Sequence, residues 1–160
     1  MAIKNINDAT VLRNGVRMPW LGLGVLYIPD GKAVENAVRW ALEAGYRSID
    51  TASFYENEVG VGQAIKQSGI PREEIFVTSK VWNTEQGYND TLAAFEASLK
   101  KLDMDYVDLY LVHWPVARKF KETYRALETI YESGRARAIG VSNFLIHHLI
   151  HAAPPCHKPG

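Results

Sequence analysis

The chain has 160 residues, 47% of them apolar, which suits one globular domain. Lysine plus arginine and aspartate plus glutamate each total 18, so the net charge is zero and argues against a basic surface for nucleic acid or an anionic membrane. The polar N-terminus, the lack of a run long enough to span a bilayer and the single cysteine, Cys156, predict a cytoplasmic protein without disulfides.

The first elements predicted are a hairpin, a strand and a helix. Asn14-Gly15 is a strong signal for a tight turn, and "VLRNGVRMP" around it predicts two short strands. Residues 20–26 form an apolar run that predicts a third strand. Residues 33–45 predict a helix, because apolar side chains recur at i, i+3, i+4, i+7 and i+8 before Gly45.

Strands and helices then alternate along the rest of the chain. Strands are predicted over residues 46–50, 75–82, 106–114 and 136–144, and helices over residues 57–69, 89–102 and 121–134. This alternation indicates βαβ units, a parallel sheet and right-handed crossovers. An open doubly wound sheet and a (β/α) barrel both fit this pattern. The G-x-G pairs at Gly22 and Gly60 give only slight evidence against a Rossmann fold, since neither has its third glycine.

Polar residues follow the carboxyl ends of the predicted parallel strands. These residues are Asp50, Lys80, His113, Ser142 and Asn143, and Tyr55 lies on the loop after Asp50. In parallel α/β folds those strand ends share one edge of the sheet, so we expect the side chains to converge.

A carboxylate, an ammonium, a phenol and an imidazole can together deliver a proton to a carbonyl oxygen. A phenol is a weak acid at neutral pH, but a nearby ammonium stabilises the phenolate. Asp50 would keep Lys80 charged, and a neutral His113 could orient the substrate oxygen as it becomes an alkoxide. Each residue alone has a structural interpretation, such as a strand-end cap or a core histidine. Their equivalent positions on successive strands favour a catalytic site.

Five segments of the chain, in this order, resemble the aldo-keto reductase family. They are "NGVRMPWLGLGV", "GYRSIDTASFYENE", "REEIFVTSKVWN", "LDMDYVDLYLVHWP" and "ARAIGVSNF". The resemblance covers residues 14–148 and is greatest to short bacterial and protozoal members similar to prostaglandin F synthase-like and diketogluconate reductase-like proteins. It implies a (β/α)8 TIM-barrel fold and NADPH-dependent reduction of aldehydes or ketones to alcohols.

The resemblance also implies a role for each candidate residue. Tyr55 would be the general acid, tuned by Lys80 and Asp50, and His113 would orient the carbonyl. The implied cofactor-binding residues are Gly24, Val25, Asp50, Ser142 and Asn143, of which the last two would hold the nicotinamide carboxamide. The implied substrate-binding residues are Leu26, Trp82, His113 and Trp114. The cofactor would supply the hydride and the protein the proton.

Some features depart from the family pattern. Leu26 stands where many members have an aromatic residue, and "ASFY" is an unusual form of the segment ending at Tyr55. A barrel of this type typically has eight strands in about 250 residues, whereas only about five β/α units are predicted after the hairpin. We therefore expect a single partial barrel over residues 1–160, with a proline-rich tail at residues 152–160 that is foreign to the family. The family's pyrophosphate loop and 2′-phosphate-binding residues would lie beyond this part.

Two other functional classes remain open at this point. One is a non-catalytic half-barrel that retains the four residues without turnover, and its two open sheet edges would favour self-association or aggregation. The other, less favoured because no partner surface is evident, is a regulatory subunit of a potassium channel with this fold.

A metal site is not expected. His147 and His151 have a chelating i, i+4 spacing, but no glutamate lies between them as in H-E-x-x-H, and the segment with Cys156 beyond them is proline-rich. The expected ligands are NADPH and a small carbonyl compound, with short loops and two tryptophans favouring small aldehydes and dicarbonyls.

Overall fold

The computed structural model describes residues 5–152. The strands within them are β1 (Ala9–Val11), β2 (Arg17–Pro19), β3 (Leu23–Gly24), β4 (Ser48–Asp50), β5 (Phe76–Val81), β6 (Val107–Val112) and β7 (Ala136–Val141). The helices are α1 (Lys32–Glu43), α2 (Glu58–Gln67), α3 (Tyr88–Leu102), α4 (Phe120–Glu132) and α5 (Ile146–Ala152). Single 3₁₀ turns cover Ser53–Tyr55, Arg72–Glu74 and Asn83–Glu85.

Strands β3 to β7 form one parallel sheet in the order β3-β4-β5-β6-β7. Neighbours in the sheet are therefore neighbours in the chain, and helices α1 to α4 lie on the successive connections. A doubly wound sheet would reverse its strand order at a switch point, whereas a barrel would not. The prediction of an unclosed (β/α) barrel with five strands is confirmed, and β3 and β7 are its edges among the described residues.

The N-terminal hairpin covers one face of this sheet, away from the carboxyl ends of its strands. Strands β1 and β2 pair antiparallel, and a five-residue loop (residues 12–16) with Gly15 at φ +87° joins them. Leu12, Val16 and Met18 of the hairpin pack against a small cluster formed by Phe76, Leu109 and Ala138. The Asn14 side chain donates a hydrogen bond of 2.8 Å to the carbonyl oxygen of Arg137. The hairpin is thereby fixed to the β7 edge.

The opposite face of the sheet carries the main hydrophobic core. Alternate strand residues such as Ile49, Val77, Val81, Tyr110 and Val112 are buried there beneath the helices. Because the strand period is two residues, the side chains between them point to the other face. The sequence of each strand therefore divides the sheet into a helix-covered face and an inner face.

The first strand of the sheet is much shorter than the apolar run over residues 20–26 predicts. Its partner β4 is short, and the pairing consists of Leu23 with Ile49 and Gly24 with Asp50. After that pair the chain turns, and the Ile28 amide donates to the Val25 carbonyl oxygen at 3.1 Å. The predicted tail over residues 152–160, with Cys156, lies outside the described residues except for Ala152, where α5 ends. None of the described helices is long and apolar enough to cross a membrane.

Candidate active site

Three candidate residues lie on the inner face because of strand alternation. Asp50 ends β4, Lys80 lies near the end of β5, and His113 directly follows β6. Phe76 lies four residues before Lys80 and Leu109 four residues before His113, so each pair points to the same face. Phe76 and Leu109 contact the hairpin on this face. The strand register aligns Asp50 with Thr78, and Lys80 with Leu111. All three side chains therefore reach the carboxyl edge of the inner face.

Lys80 is at the centre of this group. Its Nζ atom forms an ion pair with the Asp50 carboxylate and donates to the Thr51 carbonyl oxygen at 3.0 Å and to Tyr55 Oη at 3.2 Å. The Lys80 side chain is only 7% exposed, whereas that of Asp50 is 41% exposed. Three acceptors match the three N–H donors of an ammonium, which is how a lysine can remain charged inside a protein.

Tyr55 is not on an irregular loop, as the sequence suggests, but ends a 3₁₀ turn after β4. Ser53 Oγ in this turn lies 3.1 Å from the Lys80 carbonyl oxygen and 2.7 Å from Glu85 Oε2. The Glu85 carboxylate also accepts the backbone N–H of Trp82 at 3.0 Å. The turn is thus fixed to β5, the strand that carries Lys80, which fixes the phenol beside the ammonium.

His113 lies against Tyr55, with their ring centroids 5.7 Å apart in an edge-to-face arrangement. Burial, and to a smaller extent the positive charge of Lys80, lower the pKa of His113 from 6.5 to about 4. Its imidazole is therefore neutral at pH 7. Within residues 5–152, its buried Nδ1 atom has no hydrogen-bond partner. A neutral imidazole can donate one hydrogen bond, but it is a poor proton source for a developing alkoxide.

Aromatic rings form one side of the site. The Trp82 ring lies 5.1 Å from that of His113, and Phe54 stacks on Trp82 with centroids 3.9 Å apart. Trp114 and Leu26, two other candidate substrate-binding residues, are partly exposed, at 45% and 42%. Sequence reasoning selected Trp82 but missed Phe54, although its place directly before Tyr55 is a signal that could have found it.

The candidate cofactor-binding residues lie at both ends of the same edge. On one side, Gly24 pairs with Asp50, and the Val25 amide donates to the Asp50 carbonyl oxygen at 3.1 Å. On the other side, the Ser142 amide donates to the Val112 carbonyl oxygen at 2.8 Å. Asn143, at φ +61°, donates from Nδ2 to the His113 carbonyl oxygen at 2.8 Å. Hydrogen bonds to backbone carbonyl oxygens of Asp50, Val112 and His113 therefore hold both groups at this edge.

Several residues that hold the site together were not predicted. They are Thr51, which accepts a hydrogen bond from Lys80, Glu85, which anchors the Tyr55 turn, and the buried Asn57. These residues act through hydrogen bonds to loops and backbone, which leave no periodic pattern in a sequence. No group of three or more histidine, cysteine, aspartate or glutamate residues suited to a metal ion occurs in the described part of the chain.

The chain is similar to proteins of one family. The profile of the Aldo/keto reductase family matches residues 21–158. Glyoxal reductase from Bacillus subtilis is 58% identical over 145 residues, which are 91% of this chain and 52% of that protein. The 9,11-endoperoxide prostaglandin H2 reductase from Trypanosoma cruzi is 59% identical over 152 residues, covering 95% of this chain and 53% of that protein.

Solved structures have the same fold. The crystal structure of an aldo-keto reductase from Bombyx mori in complex with NADP superposes with a TM-score of 0.86 at 36% identity. That alignment covers 94% of this chain and 55% of the silkworm chain. The chain spans about half the length of the curated relatives it matches.

Proposed function

The chain belongs to the aldo/keto reductase family, and from that premise we propose that it reduces aldehydes or ketones to alcohols. In this proposal NADPH is the hydride donor and Tyr55 is the general acid. The observation that carries the assignment of the acid is the 3.2 Å contact between Tyr55 Oη and Lys80 Nζ beside a histidine that is neutral at pH 7.

The electrostatics of the four residues support this division of roles. The Lys80 ammonium stabilises negative charge on the phenol oxygen as Tyr55 releases its proton. Asp50 compensates the buried charge of Lys80, which would otherwise be costly to keep out of water. His113, being neutral, donates a hydrogen bond to the carbonyl oxygen and orients it toward the phenol.

The carboxyl edge of the sheet has features that fit a nicotinamide. Ser142 and Asn143 provide a hydroxyl and an amide that complement a carboxamide, and they adjoin His113 through its carbonyl oxygen. Gly24, on the other side, has open space where a side chain would start. NADPH bound between these groups would supply the hydride. The choice of NADPH over NADH rests on the family resemblance and on the silkworm relative's complex with NADP.

Small aldehydes and dicarbonyls are the proposed substrates. The stacked rings of Phe54 and Trp82 provide an apolar wall next to His113. One relative at 58% identity is named glyoxal reductase, which acts on a small dicarbonyl by its name. Reduction of a bulky ketone combined with no reaction of methylglyoxal would overturn this substrate class.

The test is NADPH oxidation by the purified chain with a reactive aromatic aldehyde, together with the variant Tyr55→Phe. Loss of a general acid should lower the rate by roughly two to four orders of magnitude. Tyr131→Phe is the matched control, because Tyr131 is an exposed helix residue that contacts Asn14 rather than the site. Equal rates for Tyr55→Phe and the wild type would refute the proposal.

The non-catalytic alternative makes a different prediction for the same preparation. A chain that retains the geometry without turnover would be folded, would not oxidise NADPH, and would not bind it in a fluorescence titration. The chain spans about half of its curated relatives, so cofactor binding is measured separately from turnover.

A further inference from the structure

The turn that carries Tyr55 has few contacts of its own to hold it in place. Within it, the Tyr55 amide donates to the Ala52 carbonyl oxygen at 3.0 Å, and the Glu56 amide donates to the Ser53 carbonyl oxygen at 3.3 Å. A single 3₁₀ turn of this kind is marginal by itself. Glu56, directly after the turn, has φ +54°, in the left-handed region where a residue with a Cβ atom is crowded. Such strain persists only where surrounding contacts impose it.

Contacts that hold the turn come from Glu85, which ends the 3₁₀ turn after β5. Its Oε2 atom accepts a hydrogen bond from the Ser53 hydroxyl at 2.7 Å and another from the Trp82 backbone N–H at 3.0 Å. The bond from Trp82 has a local explanation, because a glutamate commonly accepts the amide three residues before it at the start of a helical turn. The bond from Ser53 has none, because the two residues are 32 positions apart in the chain. It joins the loop after β4 to the loop after β5.

Aromatic stacking adds a second connection between the same two loops. Phe54, the residue after Ser53, stacks on the Trp82 ring with centroids 3.9 Å apart. Since the backbone of Trp82 is itself bonded to Glu85, these contacts form a closed cycle that begins and ends at the Tyr55 turn. One carboxylate oxygen therefore fixes both this turn and the aromatic wall beside it.

The contact between the phenol and the ammonium depends on where this turn lies. Tyr55 Oη is 3.2 Å from Lys80 Nζ, at the long end of the range for a hydrogen bond. A displacement of the turn by roughly half an ångström would break the contact. Lys80 would not follow the phenol, because it is also held by Asp50 and by the Thr51 carbonyl oxygen.

We propose that Glu85 is a positioning residue that acts through Ser53 to hold the Tyr55 phenol within hydrogen-bond reach of Lys80. The inference rests on the proposed function for the role of Tyr55 as the acid. Glu85 transfers no proton in this scheme and only keeps the proton donor in place. A displaced acid slows proton transfer without weakening the binding of the aldehyde, so the expected signature is a lower kcat at a nearly unchanged KM.

The first test uses NMR on the free chain and requires no activity. Ser53→Ala removes one buried hydroxyl, and exchange of the Tyr55 and Glu56 amides should rise roughly tenfold, as expected for losing a hydrogen bond to a carboxylate. The amides of β5 and β6 should keep their rates. The ε-methylene protons of Lys80 should change their chemical shift, because Nζ lies 4.8 Å from the centre of the Tyr55 ring and that ring would move.

Ser98→Ala is the matched control for this test. Ser98 is buried in α3, on the helix-covered side of the sheet, so the same substitution there should change neither the Tyr55 exchange rate nor the Lys80 signals. Unchanged Tyr55 and Lys80 signals in Ser53→Ala, or a rise in exchange that extends equally to β5 and β6, would overturn the proposal.

Two variants of Glu85 separate its contacts from its charge. Glu85→Gln keeps an oxygen that can accept both hydrogen bonds, so most of the protection of the Tyr55 amide should remain. Glu85→Ala loses both bonds and should raise the exchange rate more than Ser53→Ala does. Equal effects of Glu85→Gln and Glu85→Ala would mean that the charge matters rather than the contacts, and would overturn the proposal. Ser53→Ala keeps the proposal testable if Glu85→Ala does not fold.

The kinetic test is a double-mutant cycle with Tyr55→Phe, using NADPH and benzaldehyde. Ser53→Ala alone should lower kcat roughly tenfold to a hundredfold and leave KM nearly unchanged. In the Tyr55→Phe background it should have no further effect, because the group that it positions is gone. A similar loss in both backgrounds would indicate a general structural role and would overturn the proposal. If the wild type does not oxidise NADPH, the proposed function fails, whereas the exchange rates and the Lys80 signals still decide whether Glu85 positions Tyr55.

Discussion

The two faces of the five-stranded sheet are made of different kinds of residue. The helix-covered face is mostly apolar, from Val25 and Ile49 to Tyr110 and Val112. Its polar exceptions are Ser79, which donates to the buried Glu58, and Asp108, which pairs with Arg72 and Arg137. The inner face has only a small apolar cluster beneath the hairpin, and above it come the charged and polar groups centred on Lys80. Strand alternation therefore places most of the residues that pack the core and the residues of the candidate site on opposite faces of the sheet. One face can be packed for stability while the other keeps an ion pair at its partly hydrated rim.

The packing tolerance of the two faces differs as well. On the helix side, a Cβ atom on Gly62 of α2 would lie 2.1 Å from the Leu102 carbonyl oxygen. On the inner side, a groove of about 540 Å³ is lined by the hairpin and by β6 and β7 residues including Leu12, Met18 and Ala138. Substitutions that add atoms should therefore disturb folding on the helix side and be tolerated where they point into the groove.

Under the proposed carbonyl reduction, the largest expected effect is the loss of activity in Lys80→Met. Removing the ammonium leaves the Tyr55 phenolate without its stabilising charge, so turnover should fall by about a thousandfold or more. Stability should change little, because Asp50 is partly exposed and can be hydrated, and an apolar side chain of similar size fills the space. Activity and urea denaturation measure the two quantities.

Lys66→Met is the control for that prediction. Lys66 pairs with Asp103 on the surface, so both activity and stability should remain near wild type. Turnover by Lys80→Met within tenfold of the wild type would contradict the separation of roles between the faces.

Gly62→Ala should have the next largest effect, and it should act on folding. The added methyl group overlaps a backbone carbonyl that cannot move without separating α2 from the end of α3. We expect the free energy of unfolding to fall by about 3 kcal/mol or more. Gly24→Ala is the comparison, since its Cβ would contact nothing within 4 Å. Equal urea midpoints for the two variants would show that the helix layer is more deformable than its packing indicates.

Lowering the pH should reveal how His113, on the inner face, affects the stability of the chain. Its pKa is about 4 in the folded chain, against 6.5 ordinarily. Between these values the unfolded chain binds more protons, so the free energy of unfolding falls as pH drops from 6.5 to 4 and the effect levels off below that. The loss attributable to this residue is at most about 3 kcal/mol.

The check is urea denaturation at several pH values with His113→Gln. This variant should have a flatter pH dependence between pH 4 and 6.5 and an unchanged one above it. An equally steep dependence in wild type and variant would assign the acid sensitivity to other groups.

The smallest expected effect is that of filling the inner-face groove. Ala138→Leu places apolar atoms next to Leu12, Met18 and Leu109, and should change the free energy of unfolding by no more than about 1 kcal/mol, in the stabilising direction. Ala126→Leu, at a fully buried position on α4, should destabilise by about 1–3 kcal/mol through overpacking. Thermal melts of both variants compare the faces directly.

Much of the fold could be predicted because its signals are periodic. The helix predicted over residues 33–45 is found at Lys32–Glu43, since its apolar residues recur every three to four positions. The strand predicted over residues 20–26 is wrong in length, because the extent of a strand depends on its partner. The apolar run does not indicate how many of its residues will find a partner in β4.

The site was predictable where it depends on topology. Asp50, Lys80 and His113 follow from the rule that parallel strands end at one edge, and the Lys80 contacts with Asp50 and Tyr55 agree with it. Asn57 could not be found in this way. An asparagine before a helix suggests a cap, and only the three-dimensional arrangement brings it to the carbonyls of Val25 and Ile28, 32 and 29 residues away.

The hydrogen bond from Asn14 to the Arg137 carbonyl has a consequence for the order of folding. It joins residues 123 positions apart, whereas each β/α unit pairs with the next one along the chain. Contacts at long sequence separation carry a large loop-closure entropy and form late. The hairpin should therefore dock only after β6 and β7 have formed the surface against which it packs. Refolding experiments should find that the Asn14 side chain makes no native contact in the transition state, whereas the pairing of β5 with β6 has already formed.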